Sequence, residues 1–302
     1  MPNYDFVTVN VFTDTRFRGN PLAVVPDASG LTDAQMQAIA AEFNLSETTF
    51  VLPPEDPRNH ARVRIFTRTS EMPFAGHPNV GTGFVLATMA GDPPEHYTFE
   101  EVAGLVRVHI LRDATGTISG ARVAAPRSLT IDIGVPTETV AACAGLAESD
   151  IATLCHTPLV ASVGAPFVIA EVASVEALSR ATPDVSAFRD AAARFPELAG
   201  RLSLYLYAWS DSGERRLRTR MFAPLGGTWE DAATGSAAAA LAGLLTSLAP
   251  GDNVDLQYAI EQGVEMGRPS LIVASAVKTG EGPVSASVAG TCVPVMRGTL
   301  QV

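Results

Sequence analysis

The sequence predicts an α+β protein of two pseudo-symmetric lobes, each a β-rich, barrel-like wrap around one buried helix. Three observations lead there. The run from Ala232 to Gly251 contains no Asp, Glu, Lys or Arg, and neither does the run from Met72 to Gly91. A helix that is apolar all round cannot lie on a surface, so both are expected to be buried. Each run is preceded by the same arrangement. Arg64-Ile65-Phe66 stands before Glu71 and Gly76, Arg220-Met221-Phe222 stands before Glu230 and Gly235, and in each copy Glu precedes Gly by five positions. Phe66 and Phe222 are 156 positions apart and Gly76 and Gly235 are 159 apart, about half of the 302 residues. A unit of strand, loop, polar tip and buried helix is therefore read as duplicated, with lobes at 1–122 plus 285–302 and at 123–284.

The remaining elements follow from local pattern. Residues 6–12 alternate, with Val7, Val9 and Val11 on one face, as a strand does. A turn at Arg16-Phe17-Arg18-Gly19-Asn20-Pro21 leads to a strand at 22–25. Thr32-Asp33-Ala34-Gln35 has the form of a capping box, and Met36, Ile39, Ala40 and Phe43 continue it as a helical stripe. Residues 44–49 turn the chain into a strand at 50–52, and a strand at 61–67 leads to the first buried helix. Residues 97–101 and 105–111 form a hairpin around Ala103-Gly104, followed by a strand at 118–124. Near Pro126 the pattern restarts, with a surface helix at 137–146, strands at 159–163 and 167–172, and a helix at 188–198. Strands at 202–209 and 217–222 precede the second buried helix, and β structure at 271–277, 284–289 and 292–302 ends the chain.

Composition narrows the function. The chain is ordinary globular material, 47% hydrophobic and 18% charged, and its net charge of −11 disfavours nucleic acid or an anionic membrane as partner. Its start lacks the basic and apolar regions of a signal peptide, and its apolar runs are shorter than the ~20 residues that span a bilayer. The three cysteines, Cys143, Cys155 and Cys292, form neither a disulfide framework nor a zinc spacing. These features fit a cytoplasmic protein with reduced thiols. No phosphate-binding loop, strand–GxGxxG–helix fingerprint or nucleophile elbow is present, and His60, His96, His109 and His156 show no metal-ligand spacing. Chemistry that needs no metal or cofactor, such as proton transfer between carbon atoms, suits this inventory.

The reactive groups are then sought at the polar tips. Backbone N–H groups and the helix dipole at a helix start attract anions, so Gly76, Gly235 and Ser236 are candidate substrate-binding positions. His77, at the first tip, is disfavoured as a cation by the same dipole. Asp231 follows Glu230 at the second, and Thr234 and Ser236 are good N-caps. Glu47 lies between a helix and a strand with Leu45 and Phe50 beside it; partial desolvation there raises a carboxyl into the range useful for acid–base work. Singly, each of these has an ordinary structural reading as a cap, a dipole partner or a surface carboxylate. Two polar tips on two buried helices, with a glutamate able to face them, form the stronger pattern.

Asn44-Leu45-Ser46-Glu47-Thr48, Pro73-Phe74-Ala75-Gly76-His77-Pro78, residues 230–237 (EDAATGSA) and residues 262–270 (QGVEMGRPS) together resemble the PhzF-like phenazine-biosynthesis isomerases. Asp14-Thr15-Arg16-Phe17-Arg18-Gly19-Asn20-Pro21 is similar as well, and the resemblance runs through the whole chain. It implies the diaminopimelate-epimerase-like fold with its active site in the cleft between the lobes, a homodimer, and isomerisation of trans-2,3-dihydro-3-hydroxyanthranilate without a cofactor. By that resemblance Glu47 matches the acid/base, His77 and Asp231 match residues that hydrogen-bond the substrate, and Gly235 and Ser236 match those that bind its carboxylate. Ala233 departs from the family pattern, where many relatives carry proline.

The expected activity is therefore a cofactor-independent isomerase acting on a small-molecule carboxylate, with Glu47, His77 and Asp231 as its chemistry. The first alternative is an amino-acid epimerase or racemase of the same fold, which would need thiols where His77 and Ser236 stand. The second is a non-catalytic metabolite-binding protein.

Overall fold

The computed structural model describes residues 2–195, 202–210, 213–280 and 282–302. The chain divides into two compact units, Met1–Pro126 with Val288–Val302, and Arg127–Ser287.

The N-terminal unit is an eight-strand barrel. β1 (Asn3–Val11) pairs antiparallel with β2 (Asn20–Val25), which runs parallel to β3 (Glu47–Leu52). β3 is antiparallel to β4 (Ala61–Phe66), which pairs with the short β5 (Glu71–Met72) and runs parallel to β6 (His96–Glu101). β6, β7 (Gly104–Arg112) and β8 (Ile118–Ala124) are antiparallel neighbours. The final strand of the chain, β18 (Ser285–Gln301), pairs with both β8 and β1 and closes the ring. Two helices complete this unit. α1 (Asp33–Phe43) starts at the expected capping box, where Gln35 N–H donates to Thr32 Oγ1 and Thr32 N–H donates to Gln35 Oε1. It lays Met36, Ile39 and Ala40 against Val25, Phe50 and Phe66. α2 (Gly76–Met89) is buried along nearly its whole length and packs against β1, β2, β3, β7 and β8. Its glycines permit that approach: a Cβ on Gly81 would lie 2.5 Å from Leu22 Cδ2, and one on Gly83 2.6 Å from Val108 Cγ1.

In the C-terminal unit β9 (Thr130–Gly134) and β10 (Ile151–Ala152) flank a run of longer strands. β11 (Leu159–Ser162) is antiparallel to β9 and to β12 (Pro166–Val172), which also pairs with β10. β12 runs parallel to β13 (Leu204–Trp209), and β13 is antiparallel to β14 (Arg216–Ala223). β14 pairs with the short β15 (Thr228–Asp231) and runs parallel to β16 (Asn253–Gln262), itself antiparallel to β17 (Ser270–Thr279). Three helices, α3 (Thr137–Ala144), α4 (Val175–Arg180) and α5 (Val185–Arg194), share a core with β12 and β13 through Val140, Leu178, Phe188, Val168 and Leu204. The buried α6 (Gly235–Leu248) packs against β11, β12, β16 and β17.

Within each unit the pairings follow one order: antiparallel, parallel, antiparallel, a short return strand, the buried helix, parallel, antiparallel. The return strand is fixed in the same way both times. The Arg64 guanidinium grips Glu71 through Nε and Nη2, each 2.7 Å from a carboxylate oxygen, and Arg220 grips Glu230 at 2.8 and 2.9 Å. Such two-pronged pairs fix orientation as well as distance. Each arginine also stacks on the phenylalanine two positions later, Phe66 or Phe222.

The structure corrects several local expectations. Glu47 opens β3 instead of lying in the preceding turn, because Leu22 of β2 pairs with it. The helix expected at 137–146 ends at Ala144; α3 buries one face, Val140, Ala141, Cys143 and Ala144, and exposes Glu138 and Ala142. The 188–198 helix begins earlier, at Val185, where the Asp184 carboxylate accepts from the N–H groups of Ser186 and Ala187; residues 196–198 lie outside the described residues. The strands expected at 284–289 and 292–302 are one strand, and β5, β9, β10, β15, β16 and α4 fall outside the expected elements.

Candidate active site

At the tip of the N-terminal unit, β3 and α2 bring Glu47 and His77 together. Thr49 and Thr82, one on each element and both fully buried, share a hydrogen bond of 2.8 Å that fixes strand to helix. Glu47 Oε2 then lies 3.2 Å from His77 Nε2, a distance for proton exchange, with only 15% and 5% of the two side chains exposed. Burial drives the His77 pKa down to about 3, so the imidazole is neutral at ordinary pH. On its other side, Asn20 Nδ2 donates to His77 Nδ1 at 3.5 Å, and Asn20 Oδ1 accepts from Ser46 Oγ at 3.0 Å. With Nδ1 as acceptor, the single ring proton sits on Nε2, close to the glutamate at 3.2 Å but not aligned on its oxygen as a hydrogen bond. The N-cap of α2 is Ala75, which supplies no side-chain cap to the N–H groups beginning at Gly76.

At the tip of the C-terminal unit, Asp231 ends β15 and Gly235 begins α6. Thr234 occupies the expected N-cap position, but its hydroxyl does not cap the helix; it donates to Asp231 Oδ2 at 2.7 Å. This orients the carboxylate and leaves the first turn of α6, with Gly235 and Ser236, without a side-chain cap. Gln262, fully buried, ties the tip together: its Nε2 donates to the Asp231 carbonyl at 2.9 Å and to Thr234 Oγ1 at 3.0 Å, while its Oε1 accepts from Thr234 N–H at 3.1 Å. Ser270 Oγ donates to the Ala232 carbonyl at 2.9 Å. Gly263 makes this approach possible, since it has φ of +75° and a Cβ there would lie 2.6 Å from the Ala232 oxygen.

Asn20, Ser46, Gln262 and Ser270 were not singled out individually from the sequence. Each sits inside a motif that was, so the signal existed at the level of segments and not of single residues. Cys143 lies in the last turn of α3, Cys155 after β10 and Cys292 in β18, none of them at the start of α2 or α6. Among the described residues no cluster of His, Cys, Asp and Glu is arranged to hold a metal, and no helix is long and apolar enough to cross a membrane.

The chain is thus a mixed α/β protein with an eight-strand barrel and a carboxylate beside a neutral imidazole at a buried helix tip. Comparison with known proteins gives the family. The family of phenazine biosynthesis-like proteins matches residues 9–298. An uncharacterized isomerase of Mesorhizobium japonicum is 41% identical, with 99% of each chain covered. The trans-2,3-dihydro-3-hydroxyanthranilate isomerase of Pseudomonas fluorescens is 36% identical over 98% of this chain and 99% of its own. The crystal structure of the Bacillus anthracis PhzF-family protein superposes with a TM-score of 0.87 at 25% identity, with each chain fully covered. A hydroxyproline epimerase from Agrobacterium vitis, at 12% identity, shares the fold with a TM-score of 0.61, covering 99% of this chain and 92% of its own. The chain belongs to the PhzF family of isomerases.

Proposed function

We propose that this protein isomerises a small cyclic carboxylate by moving a proton from one carbon to another without a cofactor, and that trans-2,3-dihydro-3-hydroxyanthranilate is its substrate. The observation that carries the reading is the Glu47–His77 pair at 3.2 Å. In this reaction the Glu47 carboxylate takes a proton from a ring carbon, the electron pair left behind shifts through the adjoining double bond, and protonated Glu47 returns the proton at a second carbon. His77, neutral and carrying its proton on Nε2, donates to the substrate without competing for the transferred proton. Asp231, oriented by Thr234, receives the substrate's amino or hydroxyl group. The backbone N–H groups at Gly235 and Ser236 take its carboxylate, and Gly76 opens the first tip to the ligand.

The same reading includes two lobes derived by duplication, each around one buried helix, and a homodimer working in the cytoplasm. A monomeric mass from light scattering would remove the dimer from it. The racemase alternative is weakened by the thiols: burial pushes Cys143 up to about 12 and Cys292 higher still, whereas a thiol base must ionise readily. The test is direct. Purified protein is mixed with trans-2,3-dihydro-3-hydroxyanthranilate, and the product is followed by absorbance and NMR. Turnover to a double-bond isomer supports the proposal, and recovery of unchanged substrate contradicts it.

A further inference from the structure

Glu101 is a second buried carboxyl near the N-terminal tip, and the reaction above does not use it. It is the last residue of β6, on the same face as the buried Tyr97 and Phe99, so its side chain points inward. Both of its carboxyl oxygens are inaccessible, and neither has a donor aligned on it. The polar side chain that reaches it is that of Asn79, in the first turn of α2, two positions after His77. Asn79 is itself fully buried; its Nδ2 donates to the Ala75 carbonyl at 3.0 Å, and its Oδ1 has no donor. The loop that leads into α2 is bound to the same place, since Ala103 N–H, in the β6–β7 turn, donates to the Pro73 carbonyl at 3.0 Å.

Three buried acceptor atoms without donors are too many for a well-packed tip. One added proton satisfies all of them. A neutral carboxylic acid and a primary amide form a closed pair, in which the acid O–H donates to the amide oxygen and an amide N–H donates to the acid carbonyl. The second Asn79 N–H remains on Ala75. The Asn79 amide can also donate to an ionised carboxylate and favours that form, but the burial of Glu101 outweighs it.

We propose that Glu101 is a neutral carboxylic acid paired with the Asn79 amide, and that this pair is the positioning element that holds the first turn of α2, and with it His77, at the proton-transfer tip. Burial favours the same state, raising the carboxyl to about 8. The charged groups of the surrounding elements are engaged elsewhere. Arg64 of β4 is held by Glu71 of β5 and by Asp33, and Arg62 pairs with Glu55. Glu100, the adjacent residue on the opposite face of β6, accepts from the N–H groups of Glu55 and Asp56 and from Asn59. Arg107 of β7 is exposed, and His77 of α2 is neutral.

Two variants and two kinds of measurement test this. Isotope-edited infrared spectroscopy of the full chain, labelled at glutamate carboxyls, should show a protonated carboxyl at pH 7. That band should vanish as pH rises through about 8 and be absent in Glu101→Gln. A raised acid pKa stabilises the fold fully below the ordinary value of 4.5 and loses that contribution as pH climbs to about 8; Glu101→Gln should remove this part of the pH dependence of stability. The positioning role rests on the isomerase reading. There, Glu101→Leu should lower kcat roughly 10- to 100-fold, while Glu101→Gln, which can form an amide–amide pair with Asn79, restores it. Absence of the protonated band at pH 7 overturns the neutral acid whatever the substrate proves to be. A Glu101→Leu variant as fast as the parent overturns the positioning role. If Glu101→Leu fails to fold, the infrared band and the pH dependence in Glu101→Gln still decide.

Discussion

Glu47 Oε2 and His77 Nε2 face each other across 3.2 Å, one on the first residue of β3 and the other on the second of α2. Asn20 holds the far side of the imidazole, so the ring proton lies on Nε2, beside the carboxylate without an aligned hydrogen bond to it. A neutral donor beside a carboxylate steadies its charge without neutralising it, which a base that takes and returns one proton requires.

The buried His77 makes a pH prediction. The unfolded chain protonates this histidine near the ordinary value of 6.5, and the folded protein only near 3. Its contribution to stability is therefore complete above pH 6.5 and is lost on acidification toward 3, at up to ~1.4 kcal/mol per pH unit. Denaturation from pH 7 to 4 should show a shallower acid loss in His77→Asn than in the parent. Parallel curves would mean that His77 is protonated in the folded state.

Gln262 should be needed for the second tip to keep its shape. Gln262→Leu matches its bulk but leaves the Thr234 N–H, the Thr234 hydroxyl and the Asp231 carbonyl without their partner. The expected loss is roughly 2–4 kcal/mol in denaturant unfolding, together with weaker binding of carboxylate ligands. A loss below about 0.5 kcal/mol, the size of an ordinary surface substitution, would show that the tip is held by other contacts.

The cysteines should be dispensable. Burial is the first cause of the raised thiol at Cys143, Cys155 and Cys292. Replacing all three by alanine or serine should leave turnover of folded protein intact, and so should dialysis against a chelator. Loss of activity in folded protein after either treatment points back to a racemase or a metal site.

The carboxylate placement is tested at Gly235, where a ligand must come close to the α6 backbone. Gly235→Val should weaken binding of a benzoate-like acid far more than binding of its uncharged amide, as read by calorimetry. Parent protein that binds acid and amide equally well has its carboxylate site elsewhere.

Much of this was legible in the sequence because it rests on local chemistry. The charge-free runs gave both buried helices, Thr32 and Gln35 gave the first cap, and the repeated Arg…Glu spacing marked what proved to be two equivalent ion pairs, Arg64–Glu71 and Arg220–Glu230. Less visible was whatever depends on distant pairing. Glu47 belongs to a strand because of Leu22, and the Thr234 hydroxyl abandons its helix for Asp231 because Gln262 closes the tip. Glu101 reads as one of two adjacent surface carboxylates until its strand face and Asn79 are seen together. β16 carries its own local signal, since Val254, Leu256, Tyr258 and Ile260 alternate as a strand requires.

The central claim is that Glu47 carries the proton, and hydrogen-isotope exchange in D2O addresses it most directly. Parent enzyme incubated with trans-2,3-dihydro-3-hydroxyanthranilate in D2O should give product with deuterium at the carbon that receives the proton, to the extent that the proton on Glu47 exchanges with solvent before its return. Glu47→Gln keeps the size and hydrogen bonding but cannot accept the proton, so turnover and label should both fall by ~10²–10⁴-fold in protein that remains folded. A Glu47→Gln variant that converts and labels the substrate at the parent's rate would contradict the account.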